Sequence, residues 1–150
     1  MSKRILIIDD ETSIQESLSG ILEDEGFAPI TVSTAEEGIE LLDEDGADLA
    51  LLDIWLGDNM DGLTALGKIK DINGHLPVIM ISGHGNIETA VQATRKGAFD
   101  FIEKPLSYDK IILAINNGLK FSQLEEENRL LKESTTRKSE LTGKSPLIIA

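Results

Sequence analysis

The chain contains no cysteine, which excludes disulfide scaffolds, zinc ribbons and thiol catalysis. It has no apolar run near the roughly 20 residues that a bilayer-spanning helix needs. Ile5-Leu6-Ile7-Ile8, behind Met1-Ser2-Lys3-Arg4, is too short for a signal peptide and runs into two aspartates rather than a cleavage site. A cytoplasmic location, with no membrane contact, is the expectation. Basic residues are also scarce: 14 Lys and Arg face 27 Asp and Glu, a formal net charge of −13. Residues 119–140 hold five of each sign and Lys144 is the only charge beyond them, so residues 1–118 carry 22 acidic groups against 8 basic ones. Nucleic-acid phosphates repel such a body, which speaks against direct DNA binding; a metal cation or a basic partner suits it better.

What is present is a core. Hydrophobic residues make up 41% of 150 residues and the mean hydropathy is −0.06, as in a single soluble domain with a short extension. Short apolar runs at 4–8, 30–32, 49–52, 78–81 and 99–102 read as strands, several apolar throughout, as strands buried on both faces are. Between them lie stripes at helical spacing: Ile14, Leu18, Ile21 and Leu22; Ala35, Ile39 and Leu42; Leu63, Leu66 and Ile69; Ile87, Val91 and Thr94. Thr34 and Asn86 stand where helices start, Gly26 and Gly97 where they stop. Strict alternation of five strands with helices predicts an α/β fold, a doubly wound parallel sheet whose functional crevice lies at the carboxyl ends of the strands.

After Pro105 a helix is predicted from about Ser107, running past the domain. Phe121, Leu124, Asn128 and Leu131 keep a heptad spacing, with Ala114 one heptad before Phe121. Two readings fit: a solvated helix whose first half packs on the sheet, or a short parallel coiled coil in which Asn128 sets register and makes a homodimer. Residues 134–139 are polar and aperiodic and read as a linker; residues 141–150 turn apolar again. The division expected is therefore a domain over 1–118, a helical connector over 119–140 with a candidate coiled coil, and the start of a further domain over 141–150. Thr142-Gly143-Lys144-Ser145 is no P-loop, because Lys138 stands where its first glycine would be. Gly83-His84-Gly85 lacks the dinucleotide fingerprint.

The strand ends carry the chemistry. Asp9 and Asp10 close the first strand and Asp53 the third. Taken singly, Asp9 reads as a turn residue and Asp53 as a helix cap. Together, three carboxylates at neighbouring strand ends repel one another unless a cation lies among them, and hard oxygen ligands open to solvent suit Mg²⁺. Ser82 closes the fourth strand and Lys104 the fifth. A hydroxyl and an ammonium facing a metal-bound carboxylate are what phosphoryl oxygens require. Lys104 is held extended by Pro105, and the Lys104–Pro105 bond is a candidate cis peptide. Trp55 and His84, two residues beyond Asp53 and Ser82, flank the pocket, while His75 reads as surface.

In these residues the sequence resembles the receiver domains of two-component response regulators over about residues 3–118. Within that family it is most similar to the NtrC class, and there to the NtrX group. The likeness rests on Asp53-Ile54-Trp55-Leu56, on residues 81–90 (ISGHGNIETA) and on residues 97–105 (GAFDFIEKP). The resemblance implies a flavodoxin-like receiver with strand order 2-1-3-4-5 and an extended C-terminal helix. It also implies a phosphoacceptor at Asp53, Mg²⁺ as cofactor held by Asp10, Asp53, the Trp55 carbonyl and Asp9, and Lys104 and Ser82 on the phosphoryl oxygens. Ser82 and Phe101 are then the switch pair. The implied partner is a sensor histidine kinase, and the chain is not an enzyme acting on external substrates. Leu141-Thr142-Gly143-Lys144-Ser145-Pro146 resembles the opening of the AAA+ domain of sigma-54-dependent activators. DNA and sigma-54 RNA polymerase would be reached only through domains beyond this segment, in nitrogen-related regulation.

The loop Leu56-Gly57-Asp58-Asn59-Met60-Asp61-Gly62 departs from the family pattern, lacking its proline and being one residue longer. Two other readings remain: a Mg²⁺-dependent phosphohydrolase, and a pseudo-receiver that serves only as a dimerising scaffold. Hydrolases of that kind usually carry Asp-x-Asp on the first strand, whereas Asp9 and Asp10 are adjacent.

Overall fold

A computed structural model describes residues 2–55, 61–83 and 87–142, with side chains throughout except at 87 and 129–142. His84, Asn86, most of the loop after Trp55 and residues 143–150 lie outside the described residues.

Five strands, β1 (Arg4–Ile8), β2 (Ala28–Val32), β3 (Leu49–Asp53), β4 (Val78–Ser82) and β5 (Asp100–Glu103), form one parallel sheet in the order β2-β1-β3-β4-β5. Five helices connect and follow them: α1 (Thr12–Asp24), α2 (Ala35–Glu44), α3 (Gly62–Ile72), α4 (Ile87–Arg95) and α5 (Tyr108–Thr142). The apolar central strands explain the topology, because side chains alternate between faces and both faces must be covered. Ile5, Ile7, Leu49, Leu51, Ile79 and Ile81 point to one side, where Leu18 and Leu22 of α1 and Ile111, Ala114 and Ile115 of α5 cover them. Leu6, Ile8, Ala50, Leu52, Val78 and Met80 point to the other, under α2, α3 and α4. This is the doubly wound fold expected from the alternation of elements.

Local signals set the helix ends. Thr34 Oγ1 accepts from Glu37 N at 3.1 Å and Glu37 Oε1 accepts from Thr34 N at 3.2 Å, a complete capping box at the start of α2. Gly26 and Gly97 sit at φ 87° and 109°, the left-handed conformation that ends α1 and α4 at little steric cost. β3 and β4 each run one residue past the apolar stretch, through Asp53 and Ser82, and the two edge strands differ from expectation as well. β2 begins two residues earlier than read, at Ala28, because Pro29 is tolerated on an edge strand. β5 is shifted one residue onward to Asp100–Glu103: Phe99 reads as strand from its apolarity, but its ring packs with the α1/α5 cluster and against Phe121.

α5 starts one residue after the position expected and spans 35 residues, about 50 Å at 1.5 Å per residue. Residues 134–139, read as a linker, are helical backbone. Residues 119–142 contain neither proline nor glycine, so nothing in that stretch breaks the helix. Beyond the domain α5 leaves Phe121 and Leu124 half exposed. Among the described residues no helix is long and apolar enough to cross a membrane.

Candidate functional site

The pocket is made where three apolar strands stop. β1 runs buried to Ile8 and delivers Asp9 into the interior with no exposed surface; Asp10 follows, exposed, and Glu11 is the N-cap position of α1. β3, buried along its whole length, ends on Asp53, which is 3% exposed. β4 ends on Ser82, 1% exposed, and β5 leads to Lys104, joined to Pro105 by a cis peptide bond. Carboxylate oxygens of Asp9, Asp10 and Asp53 all lie within 4.8 Å of one another.

The hydrogen bonding is lopsided. Asp9 Oδ1 accepts from Glu11 N at 2.9 Å and Asp53 Oδ1 from Trp55 N at 3.1 Å. Asp9 Oδ2 and Ser82 Oγ are buried with no partner among the described residues, an arrangement that costs folding energy unless a ligand supplies the missing contacts. Lys104 Nζ donates to Glu11 Oε1 at 3.1 Å and stands 3.6 Å from Asp53 Oδ2.

The titration behaviour follows from this. Burial pushes the Asp9 carboxyl up to about 6, against the Glu11 N–H, which pulls it down; the nearby Asp53 charge pushes it further up. Burial likewise raises Asp53, opposed by the Trp55 N–H and by Lys104. For Lys104, burial alone would lower the pKa, but the Glu11 hydrogen bond and the Asp53 and Asp9 charges outweigh it and hold it above the ordinary lysine range. Proton affinities raised chiefly by burial, and further by neighbouring carboxylates, mark a site short of positive charge. Three clustered carboxylates, one with a free buried oxygen, fit a small hard dication such as Mg²⁺, which takes oxygen ligands and retains waters.

The structure thus brings Asp9, Asp10, Asp53 and Lys104 into one pocket and buries Ser82 at the adjoining strand end. Trp55 contributes its N–H to Asp53 while its ring is 63% exposed. Phe101 faces outward, 38% exposed, on the edge strand. His75 is surface, beside Glu125 of α5 at 3.6 Å. Two contributors escaped the sequence reasoning. Glu11 holds Lys104, and its only signal was a third acid after Asp9-Asp10. Gly62 opens α3, where a Cβ would fall 2.5 Å from the Asp53 carbonyl oxygen and 2.6 Å from Ile54 Cα. Its N–H donates to Ile54 O at 2.8 Å, so only glycine lets α3 start this close to the end of β3.

Comparison with known proteins places this geometry. A family model described as the response regulator receiver domain matches residues 5–116. The nitrogen assimilation regulatory protein NtrX of Azorhizobium caulinodans is 43% identical over 149 residues, which cover 99% of this chain and 33% of that protein. Among solved structures, the receiver domain of NtrX from Brucella abortus is 48% identical with a TM-score of 0.75, over 77% of this chain and 98% of that one. A longer crystal structure of NtrX from the same organism is 46% identical with a TM-score of 0.83, over 87% of this chain and 30% of that one. The chain spans about a third of the length of the curated relatives it matches. With the family model covering most of its length and its acidic pocket at the strand ends, the chain belongs to the response regulator receiver domain family.

Proposed function

We propose that the chain is a phosphoacceptor module: it takes a phosphoryl group from a sensor histidine kinase onto Asp53 and passes the change to a transcription-activating output. The observation that carries this reading is the buried Asp53 carboxylate, with Lys104 Nζ 3.6 Å away and two further carboxylates within 4.8 Å. An Asp53 carboxylate oxygen attacks phosphorus as the P–N bond to the kinase imidazole breaks, and the departing nitrogen keeps the electron pair. The work of the pocket is then mostly positioning and electrostatics.

Receiver domains bind Mg²⁺ at an acidic pocket; here Asp9, Asp10, Asp53 and the Trp55 carbonyl would hold it, and it would supply positive charge against that of the carboxylates and the phosphoryl group. Lys104 gives its ammonium to one phosphoryl oxygen and Ser82 its hydroxyl to another. Ser82 has no competing partner among the described residues to give up. Movement of Ser82 toward the phosphoryl group draws Phe101 inward from its outward position, and without a hydroxyl that rotation rests on packing alone. The switch is a shift between two populated states rather than a new fold.

The output lies beyond the receiver over 1–118. Residues 119–140 form a helical connector that pairs with a second copy through Phe121, Leu124 and Asn128, and 141–150 begin an AAA+ domain of a sigma-54-dependent, NtrX-like regulator working in the cytoplasm in nitrogen-related control. DNA and sigma-54 RNA polymerase are met by those later domains. The acidic body over 1–118 suits a kinase with a basic rim, an association weakened by salt.

The test is intact mass after incubation with Mg²⁺ and acetyl phosphate, wild type beside Asp53→Asn. One added phosphoryl group, dependent on Mg²⁺ and absent from the variant, is the expected result. Repeated turnover of the donor with no lasting adduct would instead favour a phosphohydrolase. Absence of both Mg²⁺ binding and adduct would leave the dimerising scaffold.

A further inference from the structure

Of the pocket side chains Asp9, Asp53, Ser82 and Lys104, only Lys104 is held by a side chain outside that set among the described residues. Asp9 Oδ2 and Ser82 Oγ have no partner among the described residues. Lys104 does: its ammonium is hydrogen-bonded to Glu11 Oε1 at 3.1 Å, whereas Asp53 Oδ2 at 3.6 Å lies beyond hydrogen-bond reach. Glu11 is 93 residues away in sequence, in the turn between β1 and α1, with its side chain 55% exposed. The Lys104 side chain is 24% exposed, so the pair spans the mouth of the pocket rather than its floor.

Among the described residues the Glu11 carboxylate has no other hydrogen bond or ion pair. It occupies the N-cap position of α1 and makes no capping hydrogen bond, and the backbone N–H that supports Asp9 belongs to its main chain. We propose that Glu11 is a positioning residue, a latch that holds Lys104 at the mouth of the pocket in the resting state and must release it when Asp53 is phosphorylated. The proposal rests on the phosphoacceptor reading of Asp53. Held by Glu11, Lys104 is kept to a longer 3.6 Å ion-pair contact with Asp53, which leaves that carboxylate more open to a cation at rest; released, it reaches a phosphoryl oxygen. The latch therefore trades speed of phosphorylation for a metal-ready resting pocket.

The test uses Glu11→Gln and Glu11→Asp in the full chain. Gln removes the charge, while Asp keeps it on a side chain one methylene too short to span the pair. Both retain the backbone N–H to Asp9. Two quantities are read: Mg²⁺ affinity from the fluorescence of Trp55, the sole tryptophan, and the rate of adduct formation with acetyl phosphate at saturating Mg²⁺. An ion pair this exposed predicts changes of about two- to fivefold. Both variants should bind Mg²⁺ more weakly, because Lys104 swings onto Asp53, and both should take up the phosphoryl group faster once Mg²⁺ saturates.

That opposed pair of effects distinguishes a latch from general loosening of the fold, which would depress both. Wild-type behaviour in both variants would overturn the proposal. So would a change in Glu11→Gln with Glu11→Asp unchanged, since charge alone would then be acting. Should the wild type take no phosphoryl group at all, the reading of Asp53 fails, while the Mg²⁺ titration of the two variants still decides the latch.

Discussion

The carboxyl ends of the strands bury Asp9, Asp53 and Ser82 and leave two of their polar atoms without partners among the described residues. The amino ends of β4 and β5 are built the opposite way. There Lys70 Nζ donates to Leu76 O at 2.9 Å, His75 pairs with Glu125 at 3.6 Å, and the rings of Phe99 and Phe121 meet with centroids 5.4 Å apart. One end of the sheet spends folding stability on groups that await a ligand. The other uses half-exposed, satisfied contacts to tie α5 to the domain as it leaves. Substitutions at the two ends should therefore differ in sign as well as in size.

The largest effect is expected at Gly62, where a new Cβ meets only backbone, 2.5 Å and 2.6 Å away. Gly62→Ala should cost about 4 kcal/mol in a urea titration, or force the end of β3 to move. In either case the rate of phosphorylation of Asp53 should fall. A variant with full stability and full phosphorylation would show that α3 can start elsewhere.

Next comes Asp9→Asn, with the opposite sign. The folded pKa of about 6 exceeds the ordinary 3.8, so the native state binds more protons than the unfolded chain between those values. Stability contributed by this group is thus lost as pH rises from about 4 to 6. Without metal, Asn should stabilise the protein by up to about 3 kcal/mol at pH 7 and by only about 0.6 kcal/mol at pH 4. Added Mg²⁺ should stabilise the wild type and not the variant. Denaturant midpoints in chelator and in Mg²⁺, at both pH values, measure this.

The amino-terminal end should respond weakly. Phe121→Ala removes a half-exposed ring contact and should cost about 1 kcal/mol. Glu125→Gln should cost less than about 0.5 kcal/mol, because its partner His75 is 70% exposed. A larger loss from either, read as a thermal melting shift, would mean that α5 beyond Gly118 is integral to the domain and would narrow the contrast between the two ends.

Much of the pocket was legible because strand ends are legible. A run such as Leu49-Ala50-Leu51-Leu52 followed by Asp53 marks both a buried strand and the point where polarity resumes. Parallel strands all present that point on the same side, so Asp9, Asp53, Ser82 and Lys104 could be grouped without coordinates. Glu11 could not. Its partner is 93 residues away, and a third acid beside Asp9-Asp10 looks like another solvated charge. Gly62 was equally silent, since a glycine in a loop carries no mark of how near the next backbone passes. The edge strands were the least well bounded: Pro29 and Phe99 gave local signals that their positions in the sheet overrode.

Local and periodic information thus determined the elements, their alternation and the side chains delivered at strand ends, because propensity, capping and the two-residue repeat act within a few neighbours. Tertiary structure alone decided which oxygen of Asp9 has no partner among the described residues, that Lys104 sits closer to Glu11 than to Asp53, and that α3 needs Gly62. Each depends on distances of a few tenths of an ångström between segments far apart in the chain, and only close packing of the whole domain sets those.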